Sequence, residues 1–476
     1  MDKAAALPDT PAARCLTELT ALMAEATPER VAAYVHARFT ASYAEREPID
    51  RRIAAFMDWK LRGGMTPAEV RASEAHRIEV VAVQPYTEER QIVIVEVEPH
   101  APHFVSTLAV GRAPLPALVP STPDQHVADR FIAYVDRLAA VGLFSGAVLI
   151  ARHGGVLGQK AYGLASRDFG VPNSLETRFN VASLCKSWTA VAIARLAEDG
   201  CLSFEDQLSA YLDYPDALSA AGIRIKHLLS HTAGLGSYFT EEFYRTARHK
   251  IRTVDDYLAL SKDQLPTFAA GTAWKYSNTG MVVLGKIIEI VTGETYFDHV
   301  QRRVLEPAGM TRSGFFELDH VNDNVAVGYH TFWSIKGPRV VNNLFENFVG
   351  GCPAGCGFAT VGDVFLFAEA LKAGRLVSPT MADLLTRAKP ELGAPDYGYG
   401  FSIHPERALY GHSGGLVGAS ANLDIVEQPH GWVIAVLAND LGMRTPALKA
   451  RQLIGVTVDE AAAGRAYVPT AGVTER

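Results

Sequence analysis

Two pairs of apolar, strand-like runs stand at opposite ends of one long stretch of this chain, and a stable fold must find partners for both. The first pair is Ser145 to Ala151 and Val156 to Tyr162, around the turn His153-Gly154-Gly155. The second is Ala419 to Val426 and Trp432 to Leu437, around Gln428-Pro429-His430-Gly431. Short Val-, Ile- and Leu-bearing runs bounded by turn residues read as β-hairpins. Between them the pattern is helical from Asn180 through Ala197, with Gly200 as the stop, and then helical and loop-rich to about Ala373. Strand faces this apolar must be buried, so the spacing predicts one antiparallel sheet completed by both ends of the stretch, with helices segregated beside it.

The chain has 476 residues, more than one hydrophobic core usually supports, so a second, smaller unit is expected. Residues 11 to 62 read as helices. Thr27 suits an N-cap with Pro28 at the first helical position, and Val31, Tyr34, Val35 and Phe39 recur at helical spacing until Gly63-Gly64. From His76 to Val110 the pattern becomes three Val- and Ile-rich strands separated by turns such as Glu98-Pro99. This layout resembles the nuclear transport factor 2 or cystatin-like arrangement, and no residue in it proposes chemistry. Pro114, Pro116, Pro120 and Pro123 then favour extended backbone, as in a linker. The expected fold class is α+β: an antiparallel sheet flanked by helices plus a largely helical subdomain, preceded by a small α+β N-terminal domain. The expected boundaries are 1–112 for that domain, 113–124 for the linker, 125–455 for the large domain, which opens with a helix around Val127 to Ala140, and 456–476 for a tail.

Hydrophobic residues make up 48% and charged residues 20%, an ordinary globular balance. A net charge of -7 without a dense basic run argues against nucleic acid and for a small-molecule or short-peptide partner. No stretch reaches the roughly 18 to 20 apolar residues of a membrane span. Met1 to Thr20 lacks the pattern of a signal peptide, so the expected compartment is the cytoplasm, or the periplasm or exterior if a leader has been removed. The five cysteines, Cys15, Cys185, Cys201, Cys352 and Cys356, are odd in number and irregular in spacing, which does not suit a disulfide framework. Cys352 and Cys356 lack a second ligand pair, and His227 and His231 lack the glutamate of a metalloprotease helix, so neither metal nor cofactor is expected. Gly350-Gly351 and Gly414-Gly415 lack the context of a phosphate loop.

The chemistry starts at Ser183-Leu184-Cys185-Lys186, which occurs once and puts a hydroxyl and an amine about one turn apart on the face of an apolar helix. Lys186 can take the serine proton only if it is not an ordinary lysine, whose pKa of about 10.4 keeps it charged at neutral pH. It must therefore be desolvated or set beside positive charge. The helix start also offers N–H groups to an oxyanion forming next to Ser183.

The run Phe179 to Ala190 around that serine resembles the beta-lactamase family of serine hydrolases, which includes class C beta-lactamases, D-stereospecific peptidases and family VIII esterases. The second motif of that family, Tyr-x-Asn, stands once, as Tyr276-Ser277-Asn278, and the third as His412-Ser413-Gly414 before Gly415. A second His-x-Gly, at His153, precedes the nucleophile and reads as a turn. Ile225 to Leu235, Leu284-Gly285, Leu305 to Met310 and Pro353 to Thr360 carry the resemblance across about 125–455. It implies Ser183 as nucleophile, Lys186 and Tyr276 as proton-handling residues, and Asn278, His412 and Gly414 on the substrate. The oxyanion hole would be the backbone N–H groups of Ser183 and Gly415. His412 would face the substrate's carboxylate or the Tyr276 side, and His231 would be structural.

His412 in place of lysine resembles the D-peptidase branch, so amide or ester substrates, D-amino-acid-containing peptides among them, are expected. The alternatives are a carboxylesterase or beta-lactamase on the same fold and, from another class, a non-catalytic penicillin-recognising binding protein. For the N-terminal domain a cap, an oligomer contact and a separate ligand site all stay open.

Overall fold

The computed structural model describes residues 4–113, 123–212, 222–346, 348–427, 430–440 and 442–456. Most of the expected linker, nearly all of the expected tail, and Gln428 and Pro429 of the second hairpin lie outside them.

The N-terminal region is α+β. Helices α1 (Pro11–Ala24), α2 (Pro28–Arg38), α3 (Ala41–Ala44) and α4 (Ile49–Leu61) precede strands β1 (Thr66–Ser73), β2 (Arg77–Val83), β3 (Arg90–Val97) and β4 (Val105–Arg112). Thr27 caps α2, its hydroxyl accepting from Arg30 N at 3.3 Å, with Pro28 in the first turn where a missing N–H costs nothing. The strands form an antiparallel meander, β1-β2-β3-β4. Three of them are legible in the sequence. β1 is not, because it is a half-exposed edge strand with little apolar alternation and contains Pro67, which an edge tolerates. Leu16, Leu19, Val31, Phe56, Val80 and Val95 form the core between helices and sheet.

The larger region is built on a six-stranded antiparallel sheet. Helix α5 (Asp124–Ala140) leads into β5 (Gly146–Arg152) and β6 (Gly155–Tyr162), followed by the small pair β7 (Leu164–Ser166) and β8 (Val171–Pro172). At the far end come β13 (Ser402–His404), β14 (Leu409–Leu416), β15 (Ala419–Val426) and β16 (Trp432–Ala438). The sheet order is β13-β14-β15-β16-β5-β6, with β16 paired to β5 from Trp432↔Arg152 to Ala438↔Gly146. The two hairpins thus complete one sheet. Alternation along these strands sends Val148, Ile150, Ile434 and Val436 to one face, beside α5 and the helix Arg444–Leu453. Leu149, Ala151, Val433, Ala435 and Leu437 go to the other, in the main core with helix α6 (Cys185–Glu198) and helix α7 (Asn278–Thr292). Each large side chain buried this way contributes roughly 1.5–3 kcal/mol, so burial on both faces makes this sheet the rigid layer against which the site is held.

Two expectations for the middle of the chain need correction. The segment from Asn180 is not helical at its start: Phe179–Ala182 is strand β9, which pairs with β12 (Gly357–Ala359), and α6 opens at Cys185. A four-residue apolar run joined to a helix carries no periodic signal of its own, and its distant partner decides its form. The stretch read as helical and loop-rich also holds a hairpin, β10 (Tyr329–Ser334) and β11 (Gly337–Asn342). Trp333 of β10 packs on the N-terminal core, and Ile335 N donates to Asp50 Oδ1 at 3.0 Å. The base of the hairpin meets the β14–β15 turn: buried Asn343 accepts from Gly328 N at 3.1 Å and donates to the Val417 carbonyl at 2.9 Å.

Candidate active site

Ser183 occupies the turn between β9 and α6. Ala182 before it has φ 46°, a left-handed conformation that costs a non-glycine residue on the order of 1 kcal/mol or more. Strand pairing holds it there, with Cys356 N donating to the Ala182 carbonyl at 3.1 Å. The Ser183 carbonyl accepts from Lys186 N at 3.0 Å, so the chain turns sharply and leaves the side chain half-buried at the helix start.

Lys186, one turn along, is fully buried at 0% exposure. Its Nζ lies 3.0 Å from Ser183 Oγ, also donates to the Ala354 carbonyl, and stands 4.8 Å from the centroid of the Tyr276 ring. Its partners are thus a hydroxyl, a carbonyl and a ring face, and no carboxylate among the described residues forms an ion pair with it.

Tyr276 and Asn278 are placed by the start of α7. Between them Ser277 is the N-cap, its hydroxyl accepting from Gly280 N and donating to the Gly236 carbonyl, both at 2.8 Å. Asn278 Nδ2 donates to Ser237 Oγ at 3.0 Å. The Tyr276 ring also meets His231, 4.5 Å between centroids, and Trp274 at 6.3 Å.

His412, Gly414 and Gly415 lie on β14. β13 pairs only with Leu409 to Gly411, so from His412 onward the outer edge of β14 has no strand against it among the described residues. A Cβ on Gly414 would sit 2.3 Å from the Val181 carbonyl oxygen and 2.7 Å from Ser183 N, so only glycine lets this strand lie against the Ser183 backbone. Gly415 is half-buried next along the same strand. The His412 ring turns to the Tyr276 side, 6.4 Å between centroids. Its Nδ1 bonds the Ser413 carbonyl at 2.6 Å and its Nε2 bonds the Tyr397 hydroxyl at 3.0 Å.

Four contributors escaped the sequence reading. Ala354 and Ser237 act through a carbonyl and a hydroxyl that any loop could supply. His231 carries no signal beyond its place in Ile225 to Leu235, and Tyr397, in Tyr397-Gly398-Tyr399-Gly400, carries no local signal. Of the cysteines, Cys185, Cys352 and Cys356 are buried behind the site, where burial pushes all three thiols up and keeps them protonated.

The family model for Beta-lactamase matches residues 131–458. The chain belongs to the beta-lactamase family of serine hydrolases. Penicillin-binding protein 4* of Bacillus subtilis is 28% identical over 292 residues, 58% of this chain and 64% of that protein, so the chain spans less than two thirds of that relative. Esterase EstB of Burkholderia gladioli is 29% identical over 315 residues, 58% of this chain and 79% of that protein. The crystal structure of a penicillin binding protein from Bacillus halodurans superposes with a TM-score of 0.58 at 28% identity, covering 67% of this chain and 95% of that one. The beta-lactamase match begins after β4, so it leaves the N-terminal α+β region outside the family's own part of the chain.

Proposed function

We propose that this chain hydrolyses esters or amides through an acyl-enzyme on Ser183. The observation that carries the reading is the buried Lys186 Nζ, 3.0 Å from Ser183 Oγ with no carboxylate to pair it among the described residues. Ser183 Oγ attacks the substrate carbonyl while Lys186, with the Tyr276 phenol alongside, receives its proton. The oxyanion accepts from the backbone N–H groups of Ser183 and Gly415, supported by the close approach of β14 to Ser183. Collapse breaks the bond to the alcohol or amine, which leaves with the proton returned by Lys186 and Tyr276. Water then attacks the acyl-enzyme, the same pair takes its proton, and the free acid departs as Ser183 is restored. Asn278, beside Tyr276, is suited to the amide of a peptide substrate.

Short amides and esters, D-amino-acid peptides included, stand ahead of beta-lactams as substrates. The resemblance to an esterase as much as to penicillin-binding proteins supports that breadth. Ser183→Ala should abolish both turnover and labelling by a fluorophosphonate. Equal turnover by mutant and wild type would remove the hydrolase reading, and absence of any adduct on the wild type would leave a binding protein. Faster cleavage of nitrocefin than of D-aminoacyl anilides and short nitrophenyl esters would reverse the substrate ranking.

A further inference from the structure

The β10–β11 hairpin needs support that it cannot supply itself. It joins no larger sheet among the described residues, and two strands alone are marginal in water. Beyond buried Tyr329 its strand residues are half-buried or exposed, so it carries little core of its own. Both of its ends are held. At the tip, Ile335 N donates to Asp50 Oδ1 at 3.0 Å, and Trp333 packs on the N-terminal core as β10 runs beside α4. At the base, Tyr329 N donates to the Asn439 carbonyl at 2.9 Å, just past β16, and Asn343 Nδ2 donates to the Val417 carbonyl at 2.9 Å. Gly328 lies so close to the β14–β15 turn that a Cβ on it would stand 2.1 Å from the Gly418 carbonyl oxygen. Val417 follows Gly415 by two residues, so the base of the hairpin bears on the end of the strand that lies against Ser183.

The N-terminal region also has a footing of its own, at a second place. Its β2–β3 turn meets α5 and the helix Arg444–Leu453 on one face of the six-stranded sheet. There the Tyr134 hydroxyl donates to the Thr87 carbonyl, Glu88 pairs with Arg137 and, at 2.7 Å, with Lys449, and the Thr445 hydroxyl donates to Glu89 Oε1 at 2.8 Å. Tyr134 is 2% exposed, so this contact is sealed from water. A body anchored at one place and gripping the hairpin tip at another limits the swing of the hairpin. The six residues of β10 span about 17 Å at the usual strand rise and carry that restraint to the β14–β15 turn. We infer that the N-terminal region braces the candidate site: Asp50 and Trp333 are positioning residues that fix the hairpin tip and, through Asn343, the approach of Gly414 and Gly415 to Ser183. Only the effect on rate rests on the hydrolase reading, so the brace and the rate are measured separately.

Hydrogen exchange of the full-length protein, followed by mass spectrometry, reads the brace without reference to activity. Asp50→Ala removes the acceptor at the hairpin tip, and Asp50→Asn keeps one. Asp50→Ala should speed exchange about five- to tenfold in residues 329–343, the scale of one lost hydrogen bond, and about threefold in residues 409–418. Strands β5 and β16 should keep the wild-type rate, and Asp50→Asn should restore it throughout. Trp333→Ala should give the same pattern with larger changes. Thr27→Ala is the control: it weakens the N-terminal region by removing the cap of α2, leaves the Asp50 contact in place, and should move neither segment. Faster exchange in 329–343 with none in 409–418, no change in either, or the same change in Thr27→Ala overturns the brace. The rate is read as turnover of a short nitrophenyl ester per Ser183 titrated with a fluorophosphonate. Asp50→Ala should lower kcat about two- to fivefold with KM unchanged, and Asp50→Asn should return it. An Asp50 that merely stabilised the fold would reduce the amount of titratable protein and leave kcat per site intact, which overturns the positioning role. The expected exchange pattern together with absent labelling of the wild type would uphold the brace and fall on the hydrolase reading alone.

Discussion

Replacing Gly414 by alanine tests how closely β14 must approach the nucleophile. The added methyl would lie 2.3 Å from the Val181 carbonyl oxygen, 2.7 Å from Ser183 N and 3.0 Å from Ala182 Cβ. All three atoms belong to β9 and its exit turn, and none is the movable end of a long side chain. The strands must separate by on the order of 1 Å before such contacts become tolerable, and overpacking of this kind typically costs 1–3 kcal/mol of stability. The larger effect falls on the reaction. A displacement of about 1 Å in a reacting constellation costs about a hundredfold in rate, and loss of one oxyanion donor costs about 10²- to 10³-fold. The two describe the same movement here and do not multiply. The expected result for Gly414→Ala is therefore a fall in kcat/KM on a short nitrophenyl ester of about 10²- to 10³-fold, with slower phosphonylation of Ser183 and a cooperative melt that is lowered but retained. An alanine variant that melts normally and keeps activity within a few-fold of wild type would show that the approach of β14 to Ser183 does not set the reacting geometry.

Three further outcomes follow from other parts of the molecule. Lys186→Met, which keeps the length of the side chain and removes the amine next to Ser183 Oγ, should slow turnover by about 10²- to 10⁴-fold while the near-ultraviolet spectrum stays native. Asn343→Ala strips the bonds from Gly328 and to Val417 that tie the β10–β11 hairpin to the β14–β15 turn. It should slow ester turnover roughly tenfold, a fraction of the cost of a full 1 Å displacement, and unchanged kinetics would deny the hairpin any hold on β14. His227 is 7% exposed, and burial, with Lys226 and Arg224 nearby, pulls its pKa down to about 4. Its neutral Nδ1 accepts from Arg224 N at 3.1 Å. Because the folded pKa is depressed, this contribution is fully present above the unfolded value of about 6.5 and is lost as pH falls toward 4, at most about 3 kcal/mol. Melting temperature should drop over that window in the wild type and drop less in His227→Asn.

What could be read from the sequence follows from where each signal resides. Strands β5, β6, β15 and β16 were legible because their apolar runs and turn residues are local, and their pairing followed because apolar runs at both ends of a domain have nowhere else to go. β1 and β9 were not, since one is a half-exposed edge and the other takes its form from the distant β12, and the β10–β11 hairpin, though its pairing is local, has mostly half-exposed strands with little apolar alternation. The candidate site divides the same way. Ser183, Lys186, Tyr276 and Asn278 could be named because their chemistry is a property of residue type and order, and the structure brings Ser183, Lys186 and Tyr276 within one small volume. The state of His412 could not be named. Its residue type allows a cation that binds a carboxylate as readily as a neutral ring that does not. Its ring meets the Tyr397 hydroxyl, which in turn meets His231, from segments 15 and 181 residues away along the chain (412−397 and 412−231). Residue type and order therefore pick out the candidate site, while contacts outside every motif decide what surrounds its side chains. Chains that share the three motifs can on this account differ around the site without changing one residue of them.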